Sequence, residues 1–364
     1  MTSGAALPRR PRIVLVVASL EVVGGQSVAA AHLARALGSE GYDVTWLPID
    51  PQLPAWLRGV RRFRGLRTLV NQMLFLPSLL RLARHDVVHV FSASYWSFLL
   101  APAPAMLTGR LLAKRVILHY HSGEAADHLA NWGWAVHPWL RLAHEIVVPS
   151  AYLGKVFASH GYEVRVIPNL FDPSQFSYRE RATLRPSLLS TRNLEPHYAV
   201  ATSIEAFVIV QREYPEATFT IVGAGSEMGR LREMANAMGL TRVRFLGQIT
   251  PDRMAAVLDE ADVFLNASVI DNQPLSILEA FAAGLPVVST PTGAIGEMVH
   301  DGRTGILVPP GSPNAMATAV LTLLDRPATA VAIARSARQE LRNYTWPVVR
   351  PAWAAAYGAS AGGD

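Results

Sequence analysis

No cysteine occurs in the 364 residues. Disulfides, thiolate metal sites and a cysteine nucleophile are thereby excluded, and a reducing compartment fits the composition. Lysine is almost missing too. Only Lys114 and Lys155 stand among 33 basic residues, so arginine carries nearly all the positive charge behind the net +5. Such a surface suits phosphate or anionic lipid, or it reflects an arginine- and alanine-biased composition; both readings stay open. Long apolar runs are also lacking. Residues 98–112 come nearest to a spanning helix, but Pro102, Pro104 and Arg110 interrupt them, and no stretch reaches the roughly 18 uninterrupted apolar residues required. Near the N-terminus, Arg9, Arg10 and Arg12 precede an apolar run at 13–20, as a signal peptide would begin. No small-residue cleavage site follows and the run leads into Gly24-Gly25, so it reads as a first core strand.

What is present is apolar material in short, regular blocks. Hydrophobic residues make up 50% of the chain and charged residues 17%, enough for two cores in a chain of this length. β-branched runs recur at 13–17, 44–47, 87–91, 116–119, 146–148 and 164–167, then at 188–190, 218–222, 243–245, 263–265, 287–289 and 306–308. They are continuous rather than alternating, as in parallel strands covered on both faces. Helical patterns lie between most of them; Val28, His32, Leu33, Ala36 and Leu37 form one such stripe. The expected fold is α/β, with two doubly wound six-stranded units in succession. The polar, turn-rich segment from Pro168-Asn169 to Arg185-Pro186 is the boundary. The expected domains are 1–175, 176–342, and a tail at 343–364, with Trp346 and Trp353, folding back on the first. Ligands of such sheets bind at the carboxyl ends of strands, here in a cleft between the two.

Four constellations fall at those strand ends. Gly24 and Gly25, with Glu21 before them and Ser27 after, stand between the first strand and first helix, where free N–H groups can meet phosphate; an ordinary strand-to-helix turn reads the same way. Gly223-Ala224-Gly225, followed by Gly229, resembles a dinucleotide fingerprint with its last glycine one residue late. It is read as a tight turn lining a nucleotide pocket. Arg192, with His197 five residues on, can clamp a diphosphate, unless Arg192 merely pairs with Glu195. Finally Asp271-Asn272-Gln273-Pro274-Leu275-Ser276 leads to Glu279, an acid inside the apolar helical run LSILEAFAAG. A buried carboxylate needs a partner, and two ribose hydroxyls would serve. Asp271 sits on the loop, free to meet a sugar hydroxyl. The alternatives are Asp271 as a helix cap and Glu279 paired with an arginine.

In order along the chain, these pieces resemble the retaining glycosyltransferases of family 4, with the GT-B fold of two Rossmann-like domains facing across a cleft. The resemblance extends through His119-Tyr120-His121-Ser122-Gly123, Val147-Val148-Pro149-Ser150, Ile167-Pro168-Asn169 with Asp172, Phe245-Leu246-Gly247, Ala280 to Val288, Gly293 to Glu297, and Gly302 to Val308. The family's acidic pair has two glutamates separated by seven residues; here the first is Asp271 and the second Glu279. The resemblance implies a nucleotide diphosphate sugar as cosubstrate, with no cofactor and no metal. It implies that Glu279 holds the ribose, that Gly25 and Arg192 meet the diphosphate with Gly24 also in the donor site, and that His121, Asp271 and Arg192 carry the catalysis. Gly223, Gly225, Leu246, Asn272, Gln273, Pro274, Leu275 and Ser276 complete the donor site. His197 stands where the family usually has lysine.

The implied acceptor is a glycan, a lipid-linked molecule or a small molecule; nucleic acid is not a partner. The stretch from Trp56 to Arg67, with Arg58, Arg61, Arg62, Phe63 and Arg64, is basic and aromatic. It reads as a solvated face or as a peripheral contact with the inner face of a membrane, and the protein is expected in the cytoplasm. Three rivals are a sugar-nucleotide 2-epimerase of related fold, a binding protein without catalysis, and a nicotinamide oxidoreductase.

Overall fold

The computed structural model describes residues 10–19, 24–51, 64–92 and 94–358. The residues from Leu20 to Val23, and the greater part of the basic stretch, Trp56 to Phe63, lie outside them. The chain divides into two compact units. The first holds residues up to Pro149, Leu153–Leu170, and the chain from Trp346 onward; the second holds Ser150–Tyr152 and Phe171–Thr345.

The first unit is built on six parallel strands, β1 (Ile13–Val17), β2 (Val44–Pro48), β3 (Val87–Ser92), β4 (Arg115–Tyr120), β5 (Glu145–Val148) and β6 (Arg165–Val166), in the order β2-β1-β3-β4-β5-β6. Every residue of β1 is buried, which is why its sequence does not alternate. Crossovers between parallel strands are right-handed. The helix Gly25–Ser39 links β1 to β2 in one direction; every later connection moves the other way. That helix therefore covers one face of the sheet, and the helices from Arg64–Ser78 to Ala151–Ala158 cover the other. The first face is completed from far along the chain. Val349, Trp353, Ala356 and Tyr357, in or next to the helix Trp346–Ala356, share a core with Leu33, Leu37, Ile13 and Leu15.

The second unit repeats the plan with β7 (Ser187–Thr191), β8 (Thr218–Val222), β9 (Val243–Gly247), β10 (Val263–Asn266), β11 (Val287–Ser289) and β12 (Ile306–Leu307), ordered β12-β11-β10-β7-β8-β9. Strands β7 and β10 are central neighbours, so their carboxyl ends lie side by side. The segment entering this unit is tied down by charge. Arg179, Arg181 and Arg185 all reach the Asp262 carboxylate. Burial alone would raise that carboxyl's pKa, but the bonds from Arg185 and Arg179 hold it at about 2. Asp262 precedes β10 at the amino edge of the sheet, so this cluster anchors the chain at the end opposite the site.

Candidate active site

Arg192 is the first residue beyond the carboxyl end of β7, and the loop from Ala267 to Pro274 follows β10. Because these strands are neighbours, the two segments meet. Arg192 donates from Nη1 to Ser276 Oγ at 2.9 Å and from Nη2 to Asp271 Oδ2 at 2.5 Å. Its guanidinium carbon lies 4.2 Å from the centre of the Tyr198 ring. The Arg192 and Asp271 side chains are only 9% and 10% exposed, which makes this a buried pair. The other Asp271 oxygen accepts the Asn272 N–H at 2.9 Å.

This differs from the expectation that Asp271 stands free to meet a sugar. Taking an arginine out of water is costly without a counter-charge, and Asp271 supplies it. Glu195, the alternative partner, is committed elsewhere, accepting from Ser226 N–H and Oγ–H. Among the described residues Arg192 Nε is buried without a hydrogen-bond partner, and each terminal nitrogen keeps a second hydrogen.

Three glycines let this cluster close. A Cβ on Gly223 would fall 2.0 Å from the Arg192 carbonyl oxygen, and one on Gly225 would fall 2.2 Å from that of Leu194. The turn is bonded to the same loop through Leu194 N–H to Ala224 O at 3.0 Å. Its glycines thus serve contact between backbones inside the unit. Gly293 does the same from the far side: its φ is +58°, and a Cβ there would meet Asp271 O at 1.9 Å. Gly293→Ala should therefore push the Asp271 loop off Arg192. We expect a loss on the order of 2–3 kcal/mol, read as a lower midpoint in thermal unfolding. An unchanged midpoint would show that the loop moves freely.

Leu246 sits where pairing between β8 and β9 slips: Ile221 faces Phe245, but Val222 faces Gly247. Leu246 is the extra residue of a bulge, half-buried at the carboxyl end of β9, a common device for re-aiming a side chain. The His197 carbonyl oxygen accepts from Val269 N–H at 2.8 Å, joining this loop to the one after β10. The His197 ring lies 4.2 Å from that of Tyr198.

Glu279 lies on the helix Leu275–Ala283, which starts after Pro274 and ends at Gly284 with φ 75°. Every other residue of that helix is buried. Among the described residues its carboxylate has neither a hydrogen bond nor an ion-pair partner, although it is partly open to solvent. Surrounding protein pushes its pKa up to about 7, and the Arg192 charge only partly offsets that burial. The alternative in which an arginine pairs with Glu279 is thus not what forms; the arginine at hand, Arg192, is held by Asp271. Asn272 and Gln273 are buried, and Ser150 Oγ–H donates to Asn272 Oδ1 at 2.6 Å. No group of three or more metal-ligating side chains gathers among the described residues.

The first unit presents its own strand ends. Gly24 caps the helix Gly25–Ser39 with φ −140°, and Ser27 Oγ bonds both the Gly24 N–H and carbonyl. A Cβ at Gly24 or Gly25 would meet nothing within 4 Å. Among the described residues, neither internal packing nor a positive φ calls for glycine at these two positions. His121 follows β4 directly and is 4.0 Å from the ring of His119. Burial drives the His121 pKa down to about 3, which leaves the imidazole neutral near pH 7. Behind it runs a file that sequence reading missed: His119 Nδ1 bonds His89 Nε2 at 3.2 Å, and His89 Nδ1 bonds the Tyr357 hydroxyl at 2.8 Å. Tyr198, the platform under Arg192, was missed as well. The histidine file has no local signal, because its contacts join residues 30 and 268 positions apart, whereas Tyr198 stands only six residues after Arg192 in the same loop.

Comparison with known proteins places this geometry. Residues 23–175 match the family described as Glycosyltransferase Family 4, and residues 185–326 match Glycosyl transferases group 1. The chain is 30% identical to the glycogen synthase of Mycobacterium tuberculosis, over 94% of this chain and 93% of that one. It is 25% identical to a phosphatidyl-myo-inositol mannosyltransferase of Mycobacterium leprae, over 91% and 92%. Among solved structures, Anabaena HepE in complex with UDP-glucose superposes with a TM-score of 0.74 at 17% identity, covering 96% of this chain and all of that one. Sucrose-phosphate synthase from Thermosynechococcus elongatus gives 0.73 at 19%, with the same coverage. The chain belongs to the glycosyltransferases of family 4, and its two six-stranded units form the GT-B fold.

Proposed function

We propose that this glycosyltransferase moves a sugar from a nucleotide diphosphate sugar to a glycan, lipid-linked or small-molecule acceptor with retention of configuration. The observation that carries the donor reading is Glu279. An unpartnered carboxylate on an otherwise buried helix, beside the carboxyl ends of two central strands, suits the two hydroxyls of a ribose. Arg192, held rigid by Asp271 and Ser276, has N–H groups to spare for phosphate, and the Gly24-Gly25 helix start offers backbone amides. His197 and the loop from Asn272 to Ser276 line the same edge. Leaving-group charge is met by arginine and backbone N–H groups rather than a metal. The departing phosphate oxygen takes the acceptor's proton as the acceptor oxygen attacks from the same face. Asp271, with both oxygens engaged, serves as the fixed counter-charge of Arg192 rather than as a nucleophile. The likeness to HepE, solved in complex with UDP-glucose, supports a nucleoside diphosphate hexose as the donor class. The protein works at the cytoplasmic side, with a peripheral contact to the membrane.

A thermal-shift panel of nucleotide sugars tests the reading, since a ligand of the native state raises the unfolding midpoint. The ribose contact adds a pH signature. A carboxylate accepting from two hydroxyls must be ionised, and the Glu279 pKa stands at about 7 without ligand. Affinity should therefore rise about tenfold between pH 6 and pH 8 and then level off. A flat profile, or equal affinity for the 2′-deoxy donor, would remove Glu279 from the ribose. If no nucleotide sugar shifts the midpoint, the donor reading fails.

A further inference from the structure

The helix Arg64–Ser78 is amphipathic with its apolar stripe turned outward. Leu66, Leu69, Met73, Leu76 and Leu80 follow one another at spacings of three, four, three and four residues, which puts them on one side of a helix. They are 46%, 57%, 66%, 47% and 73% exposed, while Phe75, Leu79 and Leu82 anchor the opposite side in the unit's core. A stripe like this normally faces a core; here it faces solvent. The elements beside it continue the pattern. Leu79–Arg84 packs on the helix Pro102–Leu111, which packs on Trp96–Leu100 and Gly133–Leu140. These carry exposed Leu107 and Leu111, Trp96, and Trp134. All belong to the layer on one face of the first sheet.

Charge is concentrated in the same part of the chain. Residues 51–123 contain nine arginines and one lysine against a single acid, Asp86. The rest of the chain has 23 basic and 27 acidic residues, so the net positive charge of the whole protein resides in this segment. Arg67, Arg81 and Arg84 stand exposed beside the apolar stripe.

We infer that this surface docks on an anionic lipid bilayer. The inference rests on the peripheral contact proposed above, and it shifts that contact to a surface running from Leu66 through Trp134. Exposed leucines and methionine can enter the boundary between headgroups and acyl chains, tryptophans suit that boundary, and arginines pair with lipid phosphates. Charge decides against the other natural occupant of such a stripe, a second copy of the chain. Self-pairing would bring Arg67, Arg81 and Arg84 of two copies together, whereas anionic headgroups neutralise them. An enzyme lying on this face would draw its acceptor from the bilayer, which favours the lipid-linked class.

Co-flotation with vesicles tests the inference, using phosphatidylcholine alone and phosphatidylcholine containing phosphatidylglycerol. The parent should float with the anionic vesicles at low salt and be released at high salt. The variant Leu69→Asp/Met73→Asp/Leu80→Asp, changed only at exposed positions, should bind them at least about tenfold more weakly. Its unfolding midpoint and nucleotide-sugar shift should equal the parent's, which keeps the donor site separate from the outcome. Arg67→Glu/Arg81→Glu/Arg84→Glu should weaken binding and flatten its salt dependence. A parent that floats with neither vesicle overturns the membrane contact itself. A parent that binds while the aspartate variant binds equally well overturns this surface alone. A dimer of the parent in sedimentation velocity without lipid, abolished in the aspartate variant, overturns the lipid in favour of a second copy.

Discussion

Glu279→Gln should make the unliganded protein more stable at neutral and alkaline pH while abolishing its response to a nucleotide sugar. The folded-state pKa stands at about 7, above the ordinary 4.5. The folded state therefore holds a proton that the unfolded chain has released between these values. Stability present below pH 4.5 is lost as pH climbs through 7, by roughly 3 kcal/mol at most. Glutamine does not titrate. Its advantage over glutamate should grow by about 2–3 kcal/mol from pH 5 to pH 8, read from unfolding midpoints without ligand. With donor, the order reverses, because an amide accepts at one atom only. Turnover of Glu279→Ala should fall at least about tenfold, ~1.4 kcal/mol. A glutamine variant that keeps its donor shift would show that the acid has some other purpose. A stability cost of this kind is in keeping with the ribose contact proposed for Glu279.

Arg192→Ala should cost more, in both currencies at once. Removing one partner of a buried pair strands the other, typically at about 3–5 kcal/mol, and here Asp271, 10% exposed in the intact pair, would lose its counter-charge. Turnover should also fall at least about tenfold, ~1.4 kcal/mol, as the diphosphate loses its clamp. Adding Asp271→Asn separates the two effects. The double variant should regain most of the stability, since no stranded charge remains, yet transfer sugar no better than Arg192→Ala. Recovery of turnover along with stability would reduce Arg192 to a structural role.

Much of this architecture could be read in advance from the chain, and the reasons are local. A strand buried on both faces must be apolar throughout, so runs such as Ile13–Val17 announce parallel sheets. Pro274 and Gly284 bound the helix that carries Glu279 and are legible as its start and stop. What stayed hidden depends on distant contacts. The orientation of Asp271 is set by Arg192, 79 positions away. Gly223 and Gly225 look like a phosphate loop, but their missing side chains make room for the backbone of another loop. The stripe from Leu66 to Leu80 was invisible for the opposite reason: a 3.5-residue apolar rhythm predicts burial, and only the fold reveals which side was already occupied.

The return of the helix Trp346–Ala356 to the first unit bears on synthesis as well as architecture. Trp353 is one of the largest fully buried side chains in the protein, and its neighbours Leu15 and Leu33 leave the ribosome more than 300 residues earlier. Domains generally fold as they emerge, the N-terminal one first. Here the opening unit cannot complete its core until the last helix is made, and its half-covered sheet must wait through translation of the second unit. The second unit, contiguous from Phe171 to Thr345 apart from Ser150–Tyr152, is free to fold first. Nascent chains stalled before Trp346 should accordingly expose the first unit to chaperones and proteases while protecting the second.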